Sequence, residues 1–317
     1  MPGLQQIGLG PPDVGGGHPH GPGHFGVVGS IVKPLTFSVA PLYCLDVDRK
    51  TAVELLKVRD SREIAVEAIQ GAEDSPVIEE TARAQEFLWS AQIAVESLLG
   101  TAYLARDITR DAEGKSRNGV MGASEQELLR SALVLASAGV DASLKRLIHD
   151  SLLTLVRIDT AVSDRLASFA ATHLSNGAVA VDAAALVRVL MADGATPREV
   201  LVTAWADALT AGSLQSVEKV NETCGALGVV RKDLRKRISP DNRESVLRKS
   251  FEARNQVIHE LDLPANAGRA RHKDALEHRR RRYAGSVESQ VTELLSVAQL
   301  IIDDVAIRVL AAAETSN

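Results

Sequence analysis

The strongest structural signal in the sequence is a run of aliphatic residues at helical spacing between Leu128 and Ile148. Apolar side chains return every three or four positions, which is the period of one face of an α-helix. Ser124 and Glu127 precede the run at the spacing of a capping box. Gly139, inside the run, is a point at which the helix could break. The pattern predicts one long helix that buries most of one side.

The residues that form the core must be almost entirely aliphatic. Aromatic residues make up only 3% of the chain, whereas hydrophobic residues make up 45%. Because strands are enriched in aromatic and β-branched residues, this composition favours helices. Further helix starts follow Ser75-Pro76 and Thr196-Pro197, and only Leu35 to Leu45 has a strand-like pattern. The sequence therefore predicts an all-α fold.

Three segments of different composition follow one another along the chain. Residues 1–45 are rich in Gly and Pro and predict an irregular extension. Residues 46–120 predict a helical N-terminal segment, and residues 121–317 a larger helical domain. The polar, glycine-containing stretch from Arg110 to Gly122 is the predicted boundary between them.

Bulk properties exclude several classes of protein. A net charge of −5 argues against a protein that coats nucleic acid by charge alone. Cys44 and Cys224 are too few for a disulfide framework and agree with a reducing compartment. No run of 18 apolar residues or signal peptide is evident, so we expect a cytoplasmic protein away from membranes. No histidine cluster has metal-ligand spacing, so neither a metal nor a cofactor is predicted.

Arg254 and His259 are the main candidates for chemistry. Arginine is a permanent cation with a fork of donors, and histidine transfers protons near neutral pH. Residues five apart in a helix lie about 140° apart around its axis, whereas Asn255 and His259, four apart, share a face. A shared site therefore requires two helices to meet or the helix to end near His259. In a purely structural alternative, Arg254 pairs with Glu252 or Glu260.

The block LRKSFEARNQVIHELDLP, which contains this pair, resembles the HEPN domain superfamily, whose signature is Arg, four to six residues, then His. A polar residue, often Asn, commonly follows the Arg. The segments Leu128 to Asp150 and Ser216 to Leu234 also resemble parts of bacterial HEPN proteins. The resemblance spans roughly residues 124–312 and implies a HEPN-like helical bundle with residues 46–120 as an extension.

The resemblance also implies a homodimer and a metal-independent endoribonuclease. His259 would act as acid and base, Arg254 would stabilise phosphate charge, and Asn255 would orient either group. Some HEPN proteins carry a Tyr two residues after the His, and Leu261 at that position argues against pairing with a nucleotidyltransferase. Asp141, Lys145 and Glu260 are candidate supporting residues, for which a solvated helix face is the alternative.

Two basic stretches flank the motif. The first contains Arg231, Lys232, Arg235, Lys236 and Arg237, and the second runs from Arg269 to Arg282. Such local concentrations of cations suit an RNA-facing surface, although a solvated helix face gives the same pattern. The candidate RNA-binding residues are Arg269, Arg271, Lys273, Arg279 and Arg280.

The expected function is RNA cleavage in phage defence or a toxin–antitoxin response, with an antitoxin or defence protein as a further partner. An alternative is a non-catalytic HEPN-type module that binds a protein or nucleotide, with residues 46–110 as the docking piece. A third interpretation is a structural helical protein in which the Arg–His spacing is a coincidence.

Overall fold

The computed structural model describes residues 78–115, 121–175, 182–192, 194–263 and 279–315, all within one compact unit, Asp48–Asn317. About four fifths of these residues are helical and none forms a strand, which confirms the all-α prediction. The 1–45 extension and its strand-like segment lie outside the described residues. The described helices are α1 Glu79–Ala112, α2 Ala123–Ile158, α3 Thr160–His173, α4 Ala183–Leu190, α5 Pro197–Thr210, α6 Val217–Ala226, α7 Lys232–Arg237, α8 Val246–His259 and α9 Ala284–Thr315.

Helix α2 is the centre of the bundle. It has 36 residues and is therefore about 54 Å long. Its apolar face is fully buried, including Leu129, Leu133, Leu144 and Leu147. Helices α1, α3, α5, α8 and α9 all pack against it, so the helical period of the Leu128 to Ile148 run is confirmed.

Two local predictions for α2 are wrong. Gly139 does not break the helix, which runs unbroken from Ala123 to Ile158. A Cβ at this position would lie 2.1 Å from the Cβ of Ala91. The glycine instead allows α1 and α2 to approach closely. The capping box is also absent, because Gly122 is the N-cap and no side chain caps the helix. Glu127 pairs with Arg130 and Arg279 instead.

Helices α1 and α2 form an antiparallel hairpin with a common core. The Ser143 hydroxyl donates to the Ala84 carbonyl over 2.8 Å, and Thr154 donates to Glu80 over 3.0 Å. Leu88 of α1 is completely buried in the core that α2 builds. Because α2 covers the apolar face of α1, the described part of the 46–120 segment folds together with the 121–317 segment.

Polar contacts join α1 to α9. The side-chain amides of Gln85 and Gln299 donate to each other over 2.9 and 3.2 Å inside the core. Further along, the Tyr103 hydroxyl donates to Glu288, and within α1 the Arg106 guanidinium lies 4.8 Å from the centre of the Tyr103 ring. The Gln85–Gln299 and Tyr103–Glu288 contacts keep the two long helices in antiparallel register.

We expect Cys224 to be chemically inert in the folded protein. Its side chain lies in the core, and burial raises the pKa of the thiol to about 12, so the reactive thiolate is scarce at pH 8. In a Cys44→Ser variant, a thiol reagent such as DTNB should label nothing until denaturant is added. Rapid labelling of the native variant would contradict the packing of α6.

Candidate functional site

Helix α8 is positioned by its N-terminus and by one buried face. The Ser245 hydroxyl accepts from the Arg248 amide and donates to the Arg237 carbonyl, which ties the start of α8 to the end of α7. Leu247 and Phe251 are buried against α2 and α9. The Ser250 hydroxyl reaches the Gln290 carbonyl of α9 at 3.3 Å. The backbone that bears the motif is therefore rigid.

Arg254 continues the buried stripe of α8, because it lies two turns beyond Leu247. Its Nε atom is buried and has no hydrogen-bond partner, and one terminal nitrogen donates to Asn255 Oδ1 over 2.9 Å. No carboxylate of the described residues forms an ion pair with it. Burial lowers the pKa of the Arg254 guanidinium, and the nearby Asp141 carboxylate opposes this shift. Arg254 is thus a partly desolvated cation without an anionic partner in the described structure.

Asp141 of α2 is engaged by other groups. One carboxylate oxygen accepts from the Leu214 amide over 2.6 Å, and the other lies 3.0 Å from Lys145 Nζ. These contacts fix the loop before α6 and hold Lys145 on the α2 surface. Asp141 therefore acts on Arg254 through its charge and not through a hydrogen bond.

His259 is the last residue of α8, and its side chain is exposed. Glu260 is the exposed C-cap. Because Arg254 faces α2 while His259 faces solvent, one copy of the helix does not bring them together on one face. Asn255 lies between the two residues: its Oδ1 accepts a hydrogen bond from Arg254, and it stands one helical turn before His259. This is the arrangement that helical geometry predicts for the sequence.

A buried ionic cluster that the sequence did not reveal anchors the end of α8. Asp262 is completely buried and accepts from Arg130 Nε over 2.8 Å and from Arg282 over 2.5 Å. Leu261 and Asp262 both have left-handed backbone conformations, with φ of 49° and 60°. Arg282 also donates to the Gln256 side chain at 3.0 Å. The cluster fixes where α8 stops and hence where His259 lies.

Two of the basic residues after the motif, Arg279 and Arg280, take part in contacts around this cluster. Arg279 is paired with Glu127, and the backbone of Arg280 exchanges hydrogen bonds with Asp262 and Arg130. Glu127 also pairs with Arg130, so it offsets only part of the Arg279 charge. The other predicted RNA-binding residues after the motif lie outside the described residues; they are Arg269, Arg271 and Lys273.

Comparison with models of known protein families, with curated proteins and with solved structures finds no match to this chain. In the described parts, no three His, Cys, Asp or Glu side chains are grouped so that they could hold a metal ion. None of the described helices combines the length and apolar character needed to cross a bilayer. The candidate site therefore rests on the chemistry of Arg254, Asn255 and His259.

Proposed function

We propose that the protein is a metal-independent endoribonuclease of the HEPN type, active as a homodimer in cytoplasmic phage defence or a toxin–antitoxin response. The proposal rests on the partial burial of Arg254 and on its lack of a carboxylate partner among the described residues. A guanidinium that is partly desolvated and lacks a carboxylate partner among the described residues favours binding of an external anion. The hydrogen-bonded Asn255 and the exposed His259 lie on the same short stretch of α8.

The proposed reaction is cleavage of RNA by its own 2′-hydroxyl. One His259 takes the proton of the 2′-hydroxyl while its oxygen bonds to the adjacent phosphorus. The bond from phosphorus to the 5′-oxygen breaks, and the leaving oxygen takes a proton from His259 of the partner subunit. Arg254 stabilises the charge on the phosphate oxygens. The products are a 2′,3′-cyclic phosphate and a 5′-hydroxyl.

A second copy of the chain would supply the second histidine that the proposed reaction needs. The surface beside His259 is partly apolar, since Ile258 is 39% and Leu261 58% exposed. Exposed apolar side chains next to polar functional groups are typical of contact surfaces. A two-fold contact at this end of α8 would place two imidazoles at one phosphate.

Cleavage of a single-stranded RNA in EDTA tests this function. We expect His259→Ala to lower the rate at least about 100-fold, because general acid–base catalysis contributes about 10²–10⁴-fold. His149→Ala is the matched control, since this exposed histidine of α2 lies outside the candidate site and its side chain forms a hydrogen bond with Thr210. Arg254→Lys should also lose activity, because lysine lacks the planar fork.

Three outcomes would count against the proposal. They are cleavage that survives His259→Ala, cleavage that EDTA abolishes, and products without a cyclic phosphate. The molar mass in solution, measured by light scattering, adds a fourth, since an active monomer would exclude a site shared by two copies.

A non-catalytic docking module is the second candidate function, and helix α1 favours it. Trp89, Ile93, Leu104 and Ile108 are exposed on α1 by 39–61%, and their spacing places them along one side of the helix. Such an apolar stripe suits a protein partner. Association through this stripe would survive the Arg254→Ala, His259→Ala double substitution, whereas RNA cleavage would not.

A further inference from the structure

The basic stretch before the motif divides into paired and unpaired cations. Arg231 pairs with Asp233 at 3.0 Å, and Arg237 pairs with Glu293 of α9 at 2.7 Å. The side chains of Lys232, Arg235 and Lys236 are exposed, and no described carboxylate forms an ion pair with them. We call these three residues the α7 surface.

Local packing directs the three side chains toward solvent on one side. Leu234 is buried and anchors α7 in the core, and Arg237 is drawn toward α9 by Glu293. Lys232 lies three and four positions before Arg235 and Lys236, which is the spacing of neighbours on one helix face. The result is a compact cluster of three positive charges in a protein whose net charge is −5.

A shallow depression of about 330 Å³ lies beside the α7 surface, lined by Lys236, Ser239, Asp241 and Asn242. The Asn242 side chain donates to the Lys236 carbonyl over 3.0 Å and accepts from the Glu244 amide. The depression therefore has a fixed wall with hydroxyl and amide groups. Its single carboxylate, Asp241, offsets only part of the neighbouring positive charge.

The α7 surface is rigidly joined to the helix that bears the motif. The Ser245 hydroxyl donates to the Arg237 carbonyl over 2.8 Å at the junction of α7 and α8. Because α8 has 14 residues, its two ends are about 20 Å apart. A single strand of several nucleotides is long enough to run from the start of α8, next to the α7 surface, to His259.

We infer that the α7 surface binds the phosphate backbone of single-stranded RNA and holds the strand along α8. This inference rests on the proposed function and locates strand binding before the motif, away from Arg279, which is paired with Glu127. Contacts between lysine or arginine and phosphates are independent of sequence and are weakened by salt. RNA is favoured over an acidic protein because the surface is joined to the Arg254 and His259 helix.

Binding is measured on the full chain with His259→Ala, so that cleavage does not interfere. A fluorescent 15-nucleotide RNA is titrated at 50–200 mM salt. The triple variant Lys232→Gln, Arg235→Gln, Lys236→Gln should bind at least about tenfold more weakly at 50 mM salt. Its salt-dependence slope should fall by about 2, since each phosphate contact on a single strand contributes about 0.7.

The control is the triple variant Arg83→Gln, Arg165→Gln, Arg198→Gln, which removes the same charge from exposed residues on α1, α3 and α5. Its affinity should change less than about twofold. Equal losses in the two triple variants would overturn the inference, as would unchanged binding by the α7 variant or no binding by the parent. Poly-L-glutamate that displaces the RNA at equal charge concentration would assign the surface to acidic polypeptides instead.

These outcomes are separate from those of the cleavage test. RNA binding that depends on the α7 surface would stand even if no RNA were ever cut. Conversely, cleavage that requires His259 but is insensitive to the α7 substitutions would leave the proposed function intact and overturn this inference. Far-ultraviolet circular dichroism melts should coincide for all variants, because substitutions at exposed sites change stability little.

Discussion

Replacing Asp262 with alanine is expected to lower the free energy of unfolding by about 3–5 kcal/mol, because removing one member of a buried ion pair leaves an uncompensated charge. Asp262 is 0% exposed and lies between Arg130 and Arg282. Both guanidiniums are also largely buried, with side-chain exposures of 6% and 13%. Urea denaturation of the purified variant measures the loss.

Two further variants separate charge from backbone conformation at this site. Asparagine tolerates the left-handed conformation that Asp262 adopts, so Asp262→Asn should recover only the smaller, conformational part of the loss. Asp233→Ala is the surface control, because Asp233 pairs with Arg231 in solvent; exposed pairs contribute about 0–1 kcal/mol. Equal losses for Asp262→Ala and Asp233→Ala would show that the cluster does not stabilise the fold.

Substitution of two glycines by alanine should have opposite effects on stability. Gly100 of α1 has no atom within 4 Å of its potential Cβ, so Gly100→Ala should stabilise the protein by about 0.5–1 kcal/mol through helix propensity. Gly139→Ala gains the same propensity but brings its Cβ to 2.1 Å from that of Ala91. Overpacking of this kind costs about 1–3 kcal/mol, so we expect net destabilisation.

The double variant Gly139→Ala, Ala91→Gly tests the cause. Exchanging the two residues removes the clash and should restore much of the stability that Gly139→Ala loses, as measured by urea denaturation. If Gly139→Ala stabilises the protein as Gly100→Ala does, then α1 and α2 are not in close contact at this level of the hairpin.

Several helix positions could be predicted from local features of the sequence. The apolar period predicted α2, because a helix in a globular core needs one continuous apolar face, and the starts at Ser75-Pro76 and Thr196-Pro197 predicted α1 and α5. Thr196 and Glu199 form the capping box of α5, and Gly228 follows α6 with a φ of 71°. These signals act over a few residues, so the sequence contains them in full. The short helix α7 was missed, since six residues are too few for a clear period.

The candidate site was predicted in part. Helical geometry separated Arg254 from His259 and placed Asn255 on the same face as His259, because the angle between residues depends only on their spacing. The surroundings of Arg254 were not predictable from local sequence. The resemblance named Asp141 as a candidate, but Asp141 is more than a hundred positions away, and its engagement by Leu214 and Lys145 depends on how α2 packs.

The amino-acid pattern alone was sufficient to predict a helical protein, its long central helix and the starts of α1 and α5. Long-range packing determined which charges remain available. Arg130 and Asp262 are 132 positions apart, Gly139 faces Ala91 across a hairpin, and Arg279, in the segment before α9, pairs with Glu127 of α2. A short-range pattern contains no information about such pairs, because each pair forms only when segments that are far apart in the sequence pack against each other.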